Sequence, residues 1–130
     1  MNQQNISLTP AEWSVMECLW EQAPLTGRET TQRMRTLCGW SRSTTLTLLS
    51  RLEKKKAIRS DADSAIKSFY PLIKREDAAL QETESFLDRV YKGSISHMVS
   101  SLTQKQALSK EEIDELYAVL RETEEKKSHD

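Results

Sequence analysis

Apolar residues recur along most of the chain at intervals of three and four, the spacing of one face of a helix. Trp13, Met16 and Trp20 begin the first stripe, and Val15 and Leu19 widen it. Its start is marked by Thr9 as cap, Pro10 at the first helical position and Glu12 where a reciprocal capping box needs a carboxylate. Pro24 ends it. A second box, Thr26-Gly27-Arg28-Glu29, opens a helix with Thr30, Met34 and Leu37 on the inner face, and Gly39 supplies the stop. Cys18 and Cys38 fall on these stripes, which predicts two buried, reduced thiols. Ser41 or Ser43 caps a third helix running to about Lys55, with Thr45, Leu48, Leu49 and Leu52 facing inward. Three short helices, the last two joined by Gly39-Trp40, predict a helix-turn-helix in a tri-helical core.

The pattern changes after Lys56. Ala57 to Ser60 and Ile66 to Tyr70 read as short strands, with Asp61-Ala62-Asp63-Ser64 as the turn and Pro71 as the close. A hairpin directly after a recognition helix is a wing. From Arg75 the helical period returns. Ala79, Leu80, Thr83, Phe86, Leu87, Val90 and Tyr91 make one stripe up to Gly93, and Ile95, Met98, Val99 and Leu102 make another. Ser109-Lys110-Glu111-Glu112 is a third capping box, before Ile113, Leu116, Tyr117 and Leu120. The charged end from Arg121 onward is expected to fray. Three amphipathic helices after a complete small domain need a surface to cover, and an interlocked twofold dimer supplies one. The expected fold is therefore mainly α: a winged helix-turn-helix domain over 1–73, then a helical dimerisation region with a charged tail over 74–130.

Composition supports a helical chain, with only three Gly and three Pro in 130 residues. No apolar run approaches the roughly 20 residues of a membrane span, and the polar start through Asn5 is unlike a secretory leader, so a cytoplasmic protein without membrane insertion is expected. The net charge of −1 conceals an asymmetry. Residues 1–74 carry 11 basic and 7 acidic side chains, whereas residues 75–130 carry 8 and 13. Within 28–59 the count is nine against two, the acids being Glu29 and Glu53. A polyanion would meet the first half and be repelled by the second.

With its apolar residues turned inward, the third helix presents Arg42, Ser43, Thr44, Leu46, Thr47, Ser50 and Arg51 on the opposite face. Hydroxyls and free N–H groups at a helix start can bond phosphate. Arg42 or Arg51 can fork onto guanine, and an outward Leu46 can pack against a thymine methyl. Lys54, Lys55 and Lys56 would meet backbone phosphate. His97 falls outside its stripe with no second ligand at metal spacing, and the carboxylates at Glu111, Glu112, Asp114 and Glu115 open a helix, where negative charge suits the dipole. No nucleophile–base pair, phosphate-cradling loop or metal motif is present, so neither an enzyme nor a cofactor is expected.

These residues also carry a family resemblance. Ala11-Glu12-Trp13-Ser14-Val15-Met16-Glu17-Cys18-Leu19-Trp20 resembles the opening of the BlaI/MecI penicillinase repressors and of the related CopY copper-responsive repressors. Pro24-Leu25-Thr26, Gly39-Trp40-Ser41, the run from Thr44 to Leu52, Phe86-Leu87-Asp88-Arg89, Gly93-Ser94 and the run from Leu108 to Leu116 continue it. The resemblance implies a homodimer that binds a pseudo-palindromic operator in double-stranded DNA through winged-helix domains, controlling a resistance or stress operon. In the beta-lactam branch a membrane sensor-protease system triggers cleavage of the dimerisation region. In the copper branch, C-terminal Cys-x-Cys pairs bind the metal.

Several positions depart from that pattern. The Cys-x-Cys pairs are absent, which argues against copper sensing of that kind, and the Asn-Phe bond cut in penicillinase repressors aligns with Ser101-Leu102, which argues against cleavage at that point. The glycine that usually ends the recognition helix is Lys56, and the Gly-Arg of the wing tip is Ser64-Ala65. Both losses predict altered turn geometry and a weaker wing contact, with Lys67 as a substitute cation near phosphate. The altered wing is the feature that favours the competing class, a winged-helix protein-interaction module without sequence-specific DNA binding.

Overall fold

Local hydrogen bonds decide where the helices begin. A computed structural model of the chain describes residues 6–61 and 65–128. The first helix, α1 (Pro10–Glu21), starts on a complete capping box: Glu12 N–H donates to Thr9 Oγ1 at 3.1 Å, and Thr9 N–H donates to Glu12 Oε1 at 2.8 Å. The same reciprocal pair, Thr26 with Glu29, opens α2 (Gly27–Cys38), and Gly39 ends it in the left-handed region at φ +70°. Ser41 caps α3 (Arg42–Lys54), which therefore begins just before Ser43.

Between these helices run β1 (Leu25–Thr26), β2 (Ile58–Ser60) and β3 (Ser68–Pro71), in the order β1-β3-β2 and antiparallel throughout. Leu25 pairs with Phe69, and Ile58, Arg59 and Ser60 pair with Pro71, Tyr70 and Phe69. The hairpin strands were legible in the sequence. The two-residue β1 was not, because so short a run carries no alternation. The expected turn lies at positions 62–64, outside the described residues.

The core lies where α1, α2 and α3 meet the sheet. Val15, Met16, Leu19, Met34, Leu49, Leu52 and Ile58 are buried, each full burial contributing about 1.5–3 kcal/mol. Thr30 and Thr45 are buried because each hydroxyl donates to the carbonyl four residues back, Thr26 and Ser41. Cys18 is buried with its thiol directed at Met34 Sδ, 3.3 Å away, and burial pushes its pKa up, which keeps it protonated. The stripe reading fails at the end of α2. Leu37 is 70 % exposed and Cys38 is exposed, one turn beyond the buried Met34.

The end of α3 corrects a further expectation. Lys56 adopts φ +65°, the conformation a glycine would take there. Lys56 N–H donates to the Glu53 carbonyl and Ala57 N–H to the Leu52 carbonyl, both at 3.0 Å, which is a complete Schellman motif. Turn geometry is thus retained by a residue that pays for it in strain. Lys56→Gly should remove about 1–2 kcal/mol of left-handed strain, offset by about 0.4–1 kcal/mol of added unfolded-chain entropy. A net gain of between zero and about 1.6 kcal/mol is expected in urea unfolding, and a lower midpoint would refute it.

The chain divides into two compact units, Met1–Thr83 and Glu84–Asp130, which meet inside α4 (Arg75–Tyr91). The start of α4 belongs with the first unit through polar anchors. Trp20 Nε1 donates to the Ile73 carbonyl at 2.9 Å. Glu17 accepts from Trp13 Nε1 and from Arg75 Nε and Nη2, all at 3.0 Å. Ala78 is the α4 residue that is buried, whereas Leu80 is 60 % exposed.

The second unit contains the rest of α4, α5 (Ile95–Gln104), capped by Ser94, and α6 (Lys110–Ser128), opened by the Ser109–Glu112 box. The charged end expected to fray is helical through Ser128. Within this unit Tyr91 makes edge contacts with Phe86 and His97, yet no described residue after Ala78 is buried.

Candidate nucleic-acid interface

Helix α3 has two chemically distinct faces. Thr45, Leu48, Leu49 and Leu52 are buried. Arg42, Ser43, Thr44, Thr47, Ser50, Arg51 and Lys54 are exposed. Among the described residues no carboxylate pairs with Arg42, Arg51 or Lys54. At the start of the helix, the Ser41 hydroxyl lies 3.2 Å from Ser43 Oγ and donates to Thr44 Oγ1 at 3.1 Å. A cluster of hydroxyls therefore surrounds the free N–H groups of the first turn, an arrangement suited to a phosphate.

Two residues expected on this face have structural tasks instead. Leu46 is half-buried and packs against the core. A Cβ on Gly27 would stand 3.3 Å from Leu46 Cδ2 and 3.9 Å from Phe69 Cε2, so the absent side chain at Gly27 makes the space that Leu46 uses. Lys55 donates from Nζ to the Ser7 carbonyl at 2.7 Å and to Glu12 Oε1 at 2.5 Å. Its ammonium is directed at α1 rather than outward. Glu12 is 1 % exposed, so one carboxylate both caps α1 and receives the Lys55 charge. Burial alone would raise the Glu12 pKa, but hydrogen bonds from Lys55 and Thr9, with the Lys55 charge, hold it below the ordinary value.

On the wing, Lys67 lies 3.7 Å from Glu53 Oε1. The Arg59 guanidinium lies 4.0 Å from the Tyr70 ring centroid, a cross-strand cation–π pair. Arg59 is an exposed wing cation that the sequence reading passed over, although it stands in the basic stretch 28–59.

Of the residues expected to form a dimer interface, Leu80, Phe86, Val90, Ile95, Leu102, Ile113, Leu116, Tyr117 and Leu120 are exposed. Leu87, Met98 and Val99 are half-buried. The Ser101–Leu102 bond lies inside α5, where cleavage would require local unwinding. No helix among the described residues is long and apolar enough to cross a membrane. Among the same residues no group of three or more His, Cys, Asp or Glu side chains could hold a metal ion.

Three helices, a three-stranded sheet and an outward polar face on α3 define a winged helix-turn-helix protein. Residues 8–122 match the family model described as penicillinase repressor, and the chain belongs to that family, one of repressors rather than enzymes. It is 30 % identical to the methicillin resistance regulatory protein MecI of Mammaliicoccus sciuri, over 92 % of this chain and 98 % of that one. It is 32 % identical to the penicillinase repressor of Bacillus licheniformis, over 92 % of this chain and 94 % of the relative. Among solved structures it is similar to the DNA-binding domain of the repressor BlaI (25 % identity, TM-score 0.52, covering 58 % of this chain and 93 % of that one). It is also similar to monomeric Bacillus licheniformis BlaI in complex with the blaP half-operator (26 % identity, TM-score 0.51, covering 57 % and 90 %).

Proposed function

We propose that this chain is a transcriptional repressor that binds a pseudo-palindromic operator as a homodimer, each protomer laying α3 in the major groove. The observation that carries this reading is the exposed polar face of α3 set on a buried apolar one, with no carboxylate among the described residues pairing Arg42, Arg51 or Lys54. On it, Arg42 and Arg51 supply guanidinium forks for guanine. Ser43, Thr44 and Thr47 supply hydroxyls for phosphate and base edges, and Lys54 supplies a phosphate contact. The BlaI relative solved with a half-operator supports the same use of this fold.

Burial supports the dimer. A helical unit in which no described residue after Ala78 is buried leaves its apolar side chains in water, and a second copy covers them. Release through a membrane sensor-protease would act on this unit, although Ser101–Leu102 departs from the bond cut in the family.

The test is a gel shift of the full chain against its own promoter region at two salt concentrations. A shift that weakens steeply with salt is expected, because phosphate contacts displace counterions. No shift, or one indifferent to salt, would favour a protein-interaction module instead.

A further inference from the structure

Glu53 stands on the recognition helix within a strongly basic stretch, and its carboxylate reaches both strands of the wing. Oε2 accepts the Ser60 hydroxyl at 2.7 Å, on the last residue of β2. Oε1 faces Lys67 Nζ at 3.7 Å, immediately before β3 begins. At the same place Asp61 N–H donates to the Ser68 carbonyl at 2.9 Å, where the hairpin leaves the sheet. Glu53 is half-buried, with 31 % of its side chain exposed against 63 % of Lys67.

We propose that Glu53 is a specificity-setting residue: it ties the root of the wing to the recognition helix and cancels the charge of Lys67, so that affinity for non-operator DNA stays low. This rests on the repressor reading above. Affinity for arbitrary duplex grows with the number of phosphates that a protein neutralises. A cation held beside a carboxylate brings little net charge to a phosphate, and the carboxylate itself repels one within a Debye length of about 8–10 Å. Base contacts from Arg42 and Arg51 are untouched by this cancellation. The ratio of operator binding to background binding therefore rises. Lys67 acts as the partner of Glu53 rather than as the phosphate contact that its place beside the wing suggests.

Glu53→Gln keeps an oxygen that can accept from Ser60 and removes the charge. The experiment titrates operator and an unrelated duplex of equal length by fluorescence anisotropy across a salt series. The proteins are the full chain, Glu53→Gln, Lys67→Ala and the double variant. Glu53→Gln should bind the unrelated duplex several-fold more tightly, with a slope of log K on log salt steeper by about 0.9, and discriminate less well. Lys67→Ala alone should leave the slope unchanged, and in the Glu53→Gln background it should restore the original slope. Equal slopes for Glu53→Gln and the parent would overturn the proposal, as would a Lys67→Ala variant that is flatter by the same amount. The Lys67→Ala result does not depend on how Glu53→Gln folds. A parent chain that binds neither duplex would overturn the repressor reading and this inference together, whereas normal parent binding with unchanged variant slopes would overturn this inference alone.

Discussion

Replacing Lys55 with Met should lower folding stability by about 2 kcal/mol at neutral pH, less than the roughly 3–5 kcal/mol for stranding one member of a fully buried ion pair because Lys55 is partly in water. The argument rests on the asymmetry of the pair. Lys55 is 35 % exposed and returns readily to water, whereas Glu12 is 1 % exposed and does not. Methionine fills the same volume and leaves the Glu12 carboxylate with the Thr9 N–H but without its cation. Urea unfolding of the variant and the parent at pH 7 and at pH 4 measures the effect.

The pH dependence has a definite sign. In the parent the Glu12 pKa is held below its ordinary value of about 4.3, so the stabilisation is complete above that value and is lost as pH falls through the lowered one. Glu17 adds to the same trend, since the Arg75 hydrogen bonds lower its pKa against a smaller effect of burial, with Trp13 assisting. In the Lys55→Met protein, Glu12 keeps its Thr9 hydrogen bonds but loses the hydrogen bond and charge of Lys55, and so takes up a proton at higher pH. The gap between the two proteins should therefore narrow at pH 4. A gap of equal size at both pH values would show that the stranded carboxylate is not the cause.

The second large effect concerns DNA. Arg51→Ala should weaken operator binding by about 2 kcal/mol, roughly thirtyfold, while leaving affinity for unrelated duplex nearly unchanged. Arg51 is exposed on α3 between the buried Leu49 and Leu52, and no carboxylate among the described residues holds it. Its removal should leave the melting temperature in place, so a loss of binding reports contact and not folding. An equal loss on both duplexes would assign Arg51 to phosphate. No loss on either would mean that this face of α3 does not enter the groove.

Much of the first unit was legible because its signals are local. The capping boxes at Thr9 and Thr26, like the one at Ser109 in the second unit, each act across three residues, so the residues that form them stand together in the chain. The inner face of α3 follows from helical spacing alone, and all four of its expected core residues are buried. Leu46 shows where such counting stops. Spacing turns it outward, but the missing Cβ at Gly27 opens a place for it against the core. Leu37 and Cys38 show the opposite error: they continue the apolar stripe of α2 in sequence but are exposed.

The sequence by itself determined the helix starts, the inward faces of α1 and α3 and that of α2 as far as Met34, the hairpin after α3 and the basic, hydroxyl-rich face that meets DNA in our proposal. All of these depend on interactions within about one helical turn or on strand alternation. Only the tertiary structure decided that Lys55 belongs to Glu12, that Trp20 and Glu17 anchor Ile73 and Arg75, and that Glu53 joins the recognition helix to the wing. In the first three of these contacts the partners lie 43, 53 and 58 positions apart. No spacing rule links them, because packing of the helices and sheet, not chain proximity, brings them within hydrogen-bonding distance.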